Sequence, residues 1–438
     1  MRKPSGLLIA VGVLVVLAVG IFVSNKKQAA KEKAPPTDTK KIVSIPDDQV
    51  QAIRIQKSSG ETLDLKKDNG KWAIIQPKPL PADQDSVSSL VSSVDSITAD
   101  STIEDKATDL SPYGLAKPSL EVQVTPKSGK TVTLQIGDDT PTNSGAYAKL
   151  AEDPHVYTIG SFVKSSVDKK PDDLRDKRLL TFDQDKLTRV ELAAKGQPVE
   201  FGKNNQNEWT ILKPRPMRAD ATAVDGLVSK LKDAKMDLTT TPDEAAKKYA
   251  GAARVGSATV TDNAGSQTLE VRKDKDNNYY AKSTAVEGIY KVSSDVGDGL
   301  NKSLDDFRNK KLFDFGFSDP TKLDIKGATY TKSGDKWMSG AKTMDNGSVQ
   351  NLIDKLRDLT ATKFAETGGG QPVFDATVTS NNGKRVEKVT ITKQGDKYFA
   401  QREGEPSIYE LDGKAVEDLQ KAASDVKEAP PAAPAKKK

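Results

Sequence analysis

The chain has no cysteine and a single histidine in 438 residues. The absence of cysteine excludes a disulfide framework, a thiolate metal site and a thiol nucleophile. His155 would need partner residues to serve as a catalytic base or a metal ligand. Aromatic residues are also scarce, at 5% with three tryptophans, and apolar residues make up 35%. Hydrophobic periodicity nevertheless persists through most of the sequence, which points to polar, well-solvated globular domains and against disorder. No block of one charge sign marks the central region. The net charge of +5 is carried by the ends: residues 1–39 contribute +4 and the last eight contribute +3, leaving −2 for everything between. A nucleic-acid binder would concentrate basic charge in its folded domains, so no nucleic-acid partner is expected.

One long hydrophobic run is present, Leu7 to Val23. As a helix it would span roughly 26 Å at about 1.5 Å per residue, close to the hydrocarbon core of a bilayer. Backbone groups in lipid must bond internally, so a transmembrane helix over 7–23 is the expected state, with the membrane as partner. A cleaved signal peptide competes with this reading, but a cut after Ala30 would place Gln28 where a small residue belongs. The segment 26–41, charged and holding Pro35 and Pro36, reads as a stalk. One short anchor before a long polar region predicts that the bulk of the chain lies outside the cytoplasm.

The rest repeats. "NGKWAIIQPKPLPAD" (69–83) and "QNEWTILKPRPMRAD" (206–220) are near copies, and "GDKWMSGAKTMDNGS" (334–348) is a worn third. All three tryptophans, Trp72, Trp209 and Trp337, fall in them. Each phrase leads into a stretch of helical period: Val87, Leu90, Val91, Val94 and Ile97 share a face, and residues 224–234 and 349–359 repeat that pattern. Asp83 and Asp220 are predicted N-caps. Alternating runs separated by Gly-containing turns predict antiparallel hairpins on both sides of the helix. "LRDKRLLTF" (174–182) and "FRNKKLFDF" (307–315) end the first two copies; the third has no such phrase. The expected fold is α+β: tandem repeats, each an antiparallel sheet with one or two helices, behind the N-terminal transmembrane helix. The expected divisions are an anchor over 1–25, a stalk over 26–41, repeats over 42–182, 183–317 and 318–427, and a disordered Lys/Pro/Ala tail over 428–438.

"LSPYGLAKPSLEVQV" (110–124), "LQIGDDTP", the "YAKL…VYTI" segment and "LRDKRLLTF" resemble a bacterial domain of unknown function, family 4340. The likeness covers roughly 42–317 and is cleanest in the first copy. The second copy departs at the Pro-Tyr-Gly-Leu step, reading "KYAGAARVGSATV". The resemblance implies a single-anchor envelope protein that accompanies ABC-type transport or gliding-associated components, and it carries over no catalytic residues.

Candidates for chemistry read as structural. His155 begins a strand after a proline turn, and the other copies hold Gly288 and Ser407 in its place. "DKDNN" (274–278) starts like a calcium loop but has Tyr279 and Ala285 where Gly and Glu are required. "TGGGQ" (367–371) lacks the Gly-Lys-Ser/Thr ending of a phosphate loop and reads as a flexible connector. The carboxylates within 169–178 alternate with bases, as on a solvated face. Tyr113, Trp72, Trp209 and Trp337 could form an aromatic platform, but apolar surroundings favour core packing, with Trp337 expected to be the least buried. No catalytic, cofactor or metal residue is therefore assigned and no cofactor is expected. The expected function is that of a non-enzymatic, membrane-anchored extracytoplasmic accessory or interaction protein, with envelope or ABC-type transporter proteins as partners. A cell-wall glycan or peptide binding module and a carboxylate-dependent envelope enzyme are the alternatives.

Overall fold

Aspartate caps, alternating strands and the three tryptophan phrases each take a definite place in the computed structural model, which describes residues 40–315 and 320–430. The chain divides into two units, 1–177 and 178–438. Among the described residues the first holds a nine-stranded and a two-stranded sheet; the second holds an eight-stranded and a nine-stranded sheet. The apolar run 7–23 lies outside the described residues, and among those described no helix is long and apolar enough to cross a membrane.

The three large sheets are antiparallel and laid out alike. In the first, the strand Val50–Lys57 sits beside Leu120–Pro126 at the centre. Strands preceding the helix Gln84–Asp95 run outward to one edge, and strands following it run outward to the other. The second sheet centres on Arg189–Ala193 beside Ala253–Asp262, and the third on Lys322–Ile325 beside Gln371–Ser380, with the same order outward. At the far edge the first and third sheets add Ser101–Glu104 and Ala361–Ala365. The second has there only a one-residue bridge, Asp237 to Lys291, and an extra helix, Pro242–Ala250.

Side-chain alternation selects one face of each sheet for the core. Ile53 and Ile55 of the first sheet face Val87, Leu90, Val91 and Val94 of Gln84–Asp95. The helices Ala221–Lys232 and Asn346–Asp358 bury Val224, Leu227, Val228, Leu231 and Val349, Leu352, Ile353, Leu356 in the same way. A second helix near the end of each copy, Ser161–Val167, Ser294–Leu300 or Gly413–Ser424, completes the layer. The opposite faces carry polar ladders such as Arg54–Asp64 and Thr259–Thr268, as an antiparallel sheet open on one side allows.

The caps are made as the sequence predicts. Asp83 and Asp220 accept from the backbone N–H groups of Ser86 and Ala223, and Asp345 does the same from Ser348. Asp83→Ala should lower stability by about 1 kcal/mol, read as a shift of the first unit's denaturant midpoint.

Each cap residue is also held through its own backbone. The N–H groups of Asp83, Asp220 and Asp345 donate to the carbonyls of Leu174, Phe307 and Lys427. The bridges Ala82–Arg175, Ala219–Arg308 and Met344–Glu428 sit beside these bonds. The third copy thus closes through residues 427–429, although it has no Arg-Lys phrase, because backbone pairing requires no side-chain signature. Glu428 and Ala429, at the start of the segment read as a disordered tail, belong to this closure. Likewise Lys40–Lys41, the end of the segment read as stalk, pairs with Thr98–Ala99.

The closing phrases also serve two cores. Phe307 packs in the core of the second sheet, whereas Leu312, Phe313 and Phe315 pack in that of the third. Leu174 belongs to the core of the first unit, and Leu179, Leu180 and Phe182 to that of the second sheet.

Trp337 departs from expectation. It is 4% exposed, against 6% for Trp72 and 8% for Trp209. The apolar run that follows the first two tryptophans does not decide burial. The inward position on Lys336–Ser339, over a core containing Tyr330, Met344 and Val349, does.

Candidate functional site

The residues singled out from the sequence remain separate. Asp153, His155 and Tyr157 cluster at the start of the strand Val156–Gly160. Tyr157 donates to Asp153 at 2.6 Å, and His155 Nδ1 meets the same carboxylate. Burial opposes ionisation of Asp153, but hydrogen bonds from Tyr157 and His155 hold its carboxyl down at about 2. Tyr157 is itself fully buried, and burial and Asp153 push its hydroxyl up. The cluster packs at the start of the strand, with the His155 side chain 31% exposed and its Nε2 4.0 Å from Asp105.

Asp274 caps a hairpin, accepting from the N–H groups of Asp276 and Asn278 at 2.9 and 2.8 Å. The Gly-rich 367–371 segment is packed, not loose: a Cβ on Gly370 would stand 2.1 Å from the Lys393 carbonyl, and one on Gly368 would stand 2.6 Å from Ile408. Asp172 and Asp173 start the short helix Pro171–Leu174, where Asp173 accepts from the Lys170 N–H. Tyr113 bonds Glu104 at 2.6 Å and packs edge-on to Tyr147, while its carbonyl lies against Gly137. Among the described residues no group of three or more His, Asp or Glu side chains is placed to hold a metal ion.

The densest charge cluster lies within the second unit, where the second and third sheets meet, and the sequence pattern did not single it out. Arg218, on the short edge strand Met217–Arg218, reaches Asp314 at 2.6 Å and the Tyr409 hydroxyl at 2.9 Å. Its Nε lies 2.8 Å from Glu405, out of line for a hydrogen bond. Arg402 bonds Glu405 at 2.7 Å and Glu387 at 3.2 Å, and it donates to the Leu312 carbonyl. Glu387 also accepts from the Asp314 N–H at 2.7 Å. Arg308 stacks over Phe364 at 3.4 Å and donates to the buried Ser407.

Burial pushes the Glu387 carboxyl up, against the opposing pull of the Asp314 N–H and Arg402. Burial also raises the Tyr409 hydroxyl. For Arg218 burial works the other way, but Asp314, Tyr409 and Glu405 outweigh it and hold the guanidinium firmly charged. The pattern that could have exposed this cluster is a difference between copies. Arg218 stands where the first copy has Pro81, and Asp314 where it has Thr181.

Beside the cluster is a cleft of about 240 Å³, with Trp209, Arg218 and Asp314 in its lining. The Arg385–Glu208 ion pair, at 2.6 Å, stands at it. The bonds from Arg218 to Asp314 and Tyr409 tie the edge of the second sheet to the third.

These features define an α+β protein of tandem, helix-backed antiparallel sheets. The chain belongs to the family described as Domain of unknown function (DUF4340), whose model matches twice, over residues 72–216 and 209–377. The two matches start at Trp72 and Trp209, the tryptophans of the first and second sheets. The second match extends into the third copy, as far as strand Gln371–Ser380. Among curated proteins, none matches the chain.

Proposed function

We propose that this is a non-enzymatic interaction protein, held at the membrane by residues 7–23, whose repeats engage a protein partner of an extracytoplasmic envelope complex such as an ABC-type transporter. The observation that carries the interaction reading is Phe162. It is 81% exposed on the helix Ser161–Val167. It borders a groove of about 510 Å³ against the helix Gln84–Asp95, whose lining includes five serines, Ser86, Ser89 and Ser93 among them, and the charged Lys169, Asp173 and Lys177. At the same helix position the sister copies carry Asp295 and Lys414, the charged residues expected of a solvated surface. A lone exposed aromatic beside small polar side chains has the make-up of an interface anchor. The membrane and transporter parts of the proposal rest on the apolar run and on the family resemblance.

Phe162→Ala should leave thermal stability unchanged, since the ring contributes little burial. It should also reduce co-purification of partner proteins from crosslinked membranes by tenfold or more, as loss of an anchor worth about 2 kcal/mol requires. Equal recovery from the variant, or binding of both proteins to purified wall material with no protein partner, would overturn the proposal.

A further inference from the structure

The first sheet shows how its tryptophan strand is finished. Gln84, the first residue of its helix, turns its carboxamide back onto the strand. Its Oε1 accepts from the Trp72 N–H at 2.8 Å, and its Nε2 donates to the carbonyls of Trp72 and Ala82 at 3.0 and 2.9 Å. In the third sheet Asn346, also the first helix residue, places its Oδ1 3.4 Å from the Trp337 N–H and donates to the Asp335 carbonyl at 2.9 Å. In both copies a primary amide covers the backbone edge at the tryptophan.

The second copy keeps this geometry and omits the amide. Its register is the same: Thr210 pairs with Arg218 as Ala73 pairs with Pro81, and Ile211 with Met217 as Ile74 with Leu80. The first helix residue, however, is Ala221. The 240 Å³ cleft opens at this point, with Trp209, Ala219 and Ala221, the counterparts of Trp72, Ala82 and Gln84, in its wall. The volume is below the roughly 300–1,000 Å³ of whole small-molecule sites and suits a single functional group. Asn309, Glu208 and Arg385 add polar side chains around it.

We infer that the cleft at Trp209 is a receptor for a primary carboxamide supplied by another molecule, namely an Asn or Gln side chain of a protein partner. The pattern set by Gln84 needs one acceptor and two donated hydrogens. A primary amide has both hydrogens; the acetamido group of an amino sugar has one. That the amide comes from a protein rests on the interaction reading above, whereas the seat itself does not.

The test uses the full chain in detergent, labelled with ¹⁵N-tryptophan, which yields one backbone and one indole signal from each of three residues. Propionamide is the probe; N-methylpropionamide, propionate and N-acetylglucosamine are its controls. The Trp209 backbone signal should move saturably with propionamide only, while the Trp72 and Trp337 signals stay in place. Ala221→Gln, which installs the amide within the chain, should shift the Trp209 signal by itself and abolish its response to the probe. Unmoved Trp72 and Trp337 signals verify that this variant is folded. The inference fails if Trp209 does not respond to propionamide, if Ala221→Gln responds as the parent does, or if N-acetylglucosamine or N-methylpropionamide moves the signal equally. A crosslinked partner without a propionamide response would sink the seat alone; a response without any partner would sink the interaction reading alone.

Discussion

Arg402→Ala should destabilise the third sheet by about 3–5 kcal/mol, the usual cost of leaving a buried charge without its partner. Glu387 is 4% exposed, and Arg402 is the cation that reaches its Oε1 at 3.2 Å. The same guanidinium also bonds Glu405 and the Leu312 carbonyl, so truncation leaves several groups unpaired at once. Glu387→Gln placed on top of Arg402→Ala should recover part of the loss, because it removes the stranded charge. The sign of the pH dependence follows from the direction of the shift. A carboxyl whose folded value lies above its unfolded one binds its proton more tightly when folded. Its effect therefore favours folding at low pH. That benefit fades as pH rises from the ordinary glutamate range, about 4.3, through the raised value of Glu387. Without Arg402 the upward shift grows, so the variant's deficit relative to the parent should shrink as pH falls toward 4. Denaturant melts of parent, single and double variants across that range would show it. A pH-independent deficit would remove Glu387 from the explanation.

Trp72→Ala, Trp209→Ala and Trp337→Ala should each cost about 3–5 kcal/mol, the range for truncating a buried tryptophan. All three rings face the helix-covered side of their sheets. Trp337 is the instructive member, because the polar residues after it suggest a weak site and its burial shows a full one. Trp209 carries an extra bond from its indole N–H to Asp225 at 2.8 Å, so its loss should fall toward the upper end. Three sheets in one chain need not unfold as a single transition. Melts should therefore be followed with a probe in each sheet, and each substitution should shift its own sheet first. A Trp337→Ala loss well below that of Trp72→Ala would contradict the packing described above.

These residues show what a sequence exposes. Helices and hairpins are local objects, so Val87, Leu90, Val91 and Val94 reveal a face by their spacing, and Asp83 and Asp220 reveal helix starts. The repeated phrases made the architecture legible as well, since independent landmarks keep nearly constant offsets. The charge cluster was hidden because its members lie far apart in the chain: Arg218 is 96 residues from Asp314 and 191 from Tyr409. No periodicity links them. Trp337 is the opposite case: its sequence neighbours are polar, but its position on the pleat of Lys336–Ser339 buries it. The closure at Glu428 is made by backbone pairing and a Lys342–Glu428 ion pair, neither of which repeats the Arg-Lys phrase. The seat at Ala221 is an intermediate case: Gln84, Ala221 and Asn346 align once the copies are superposed, but the alignment carries meaning only when the Gln84 amide is seen bonded to Trp72.

Whether this chain acts by holding a protein partner can be read by photocrosslinking in intact cells. A photoreactive phenylalanine would be placed in turn at residues 162, 295 and 414, the same helix position in the three copies. Residue 162 should give a discrete protein adduct, and residues 295 and 414 should give none. Adducts of equal yield from all three positions, or none from residue 162 while the protein remains folded and membrane-bound, would contradict the interaction reading.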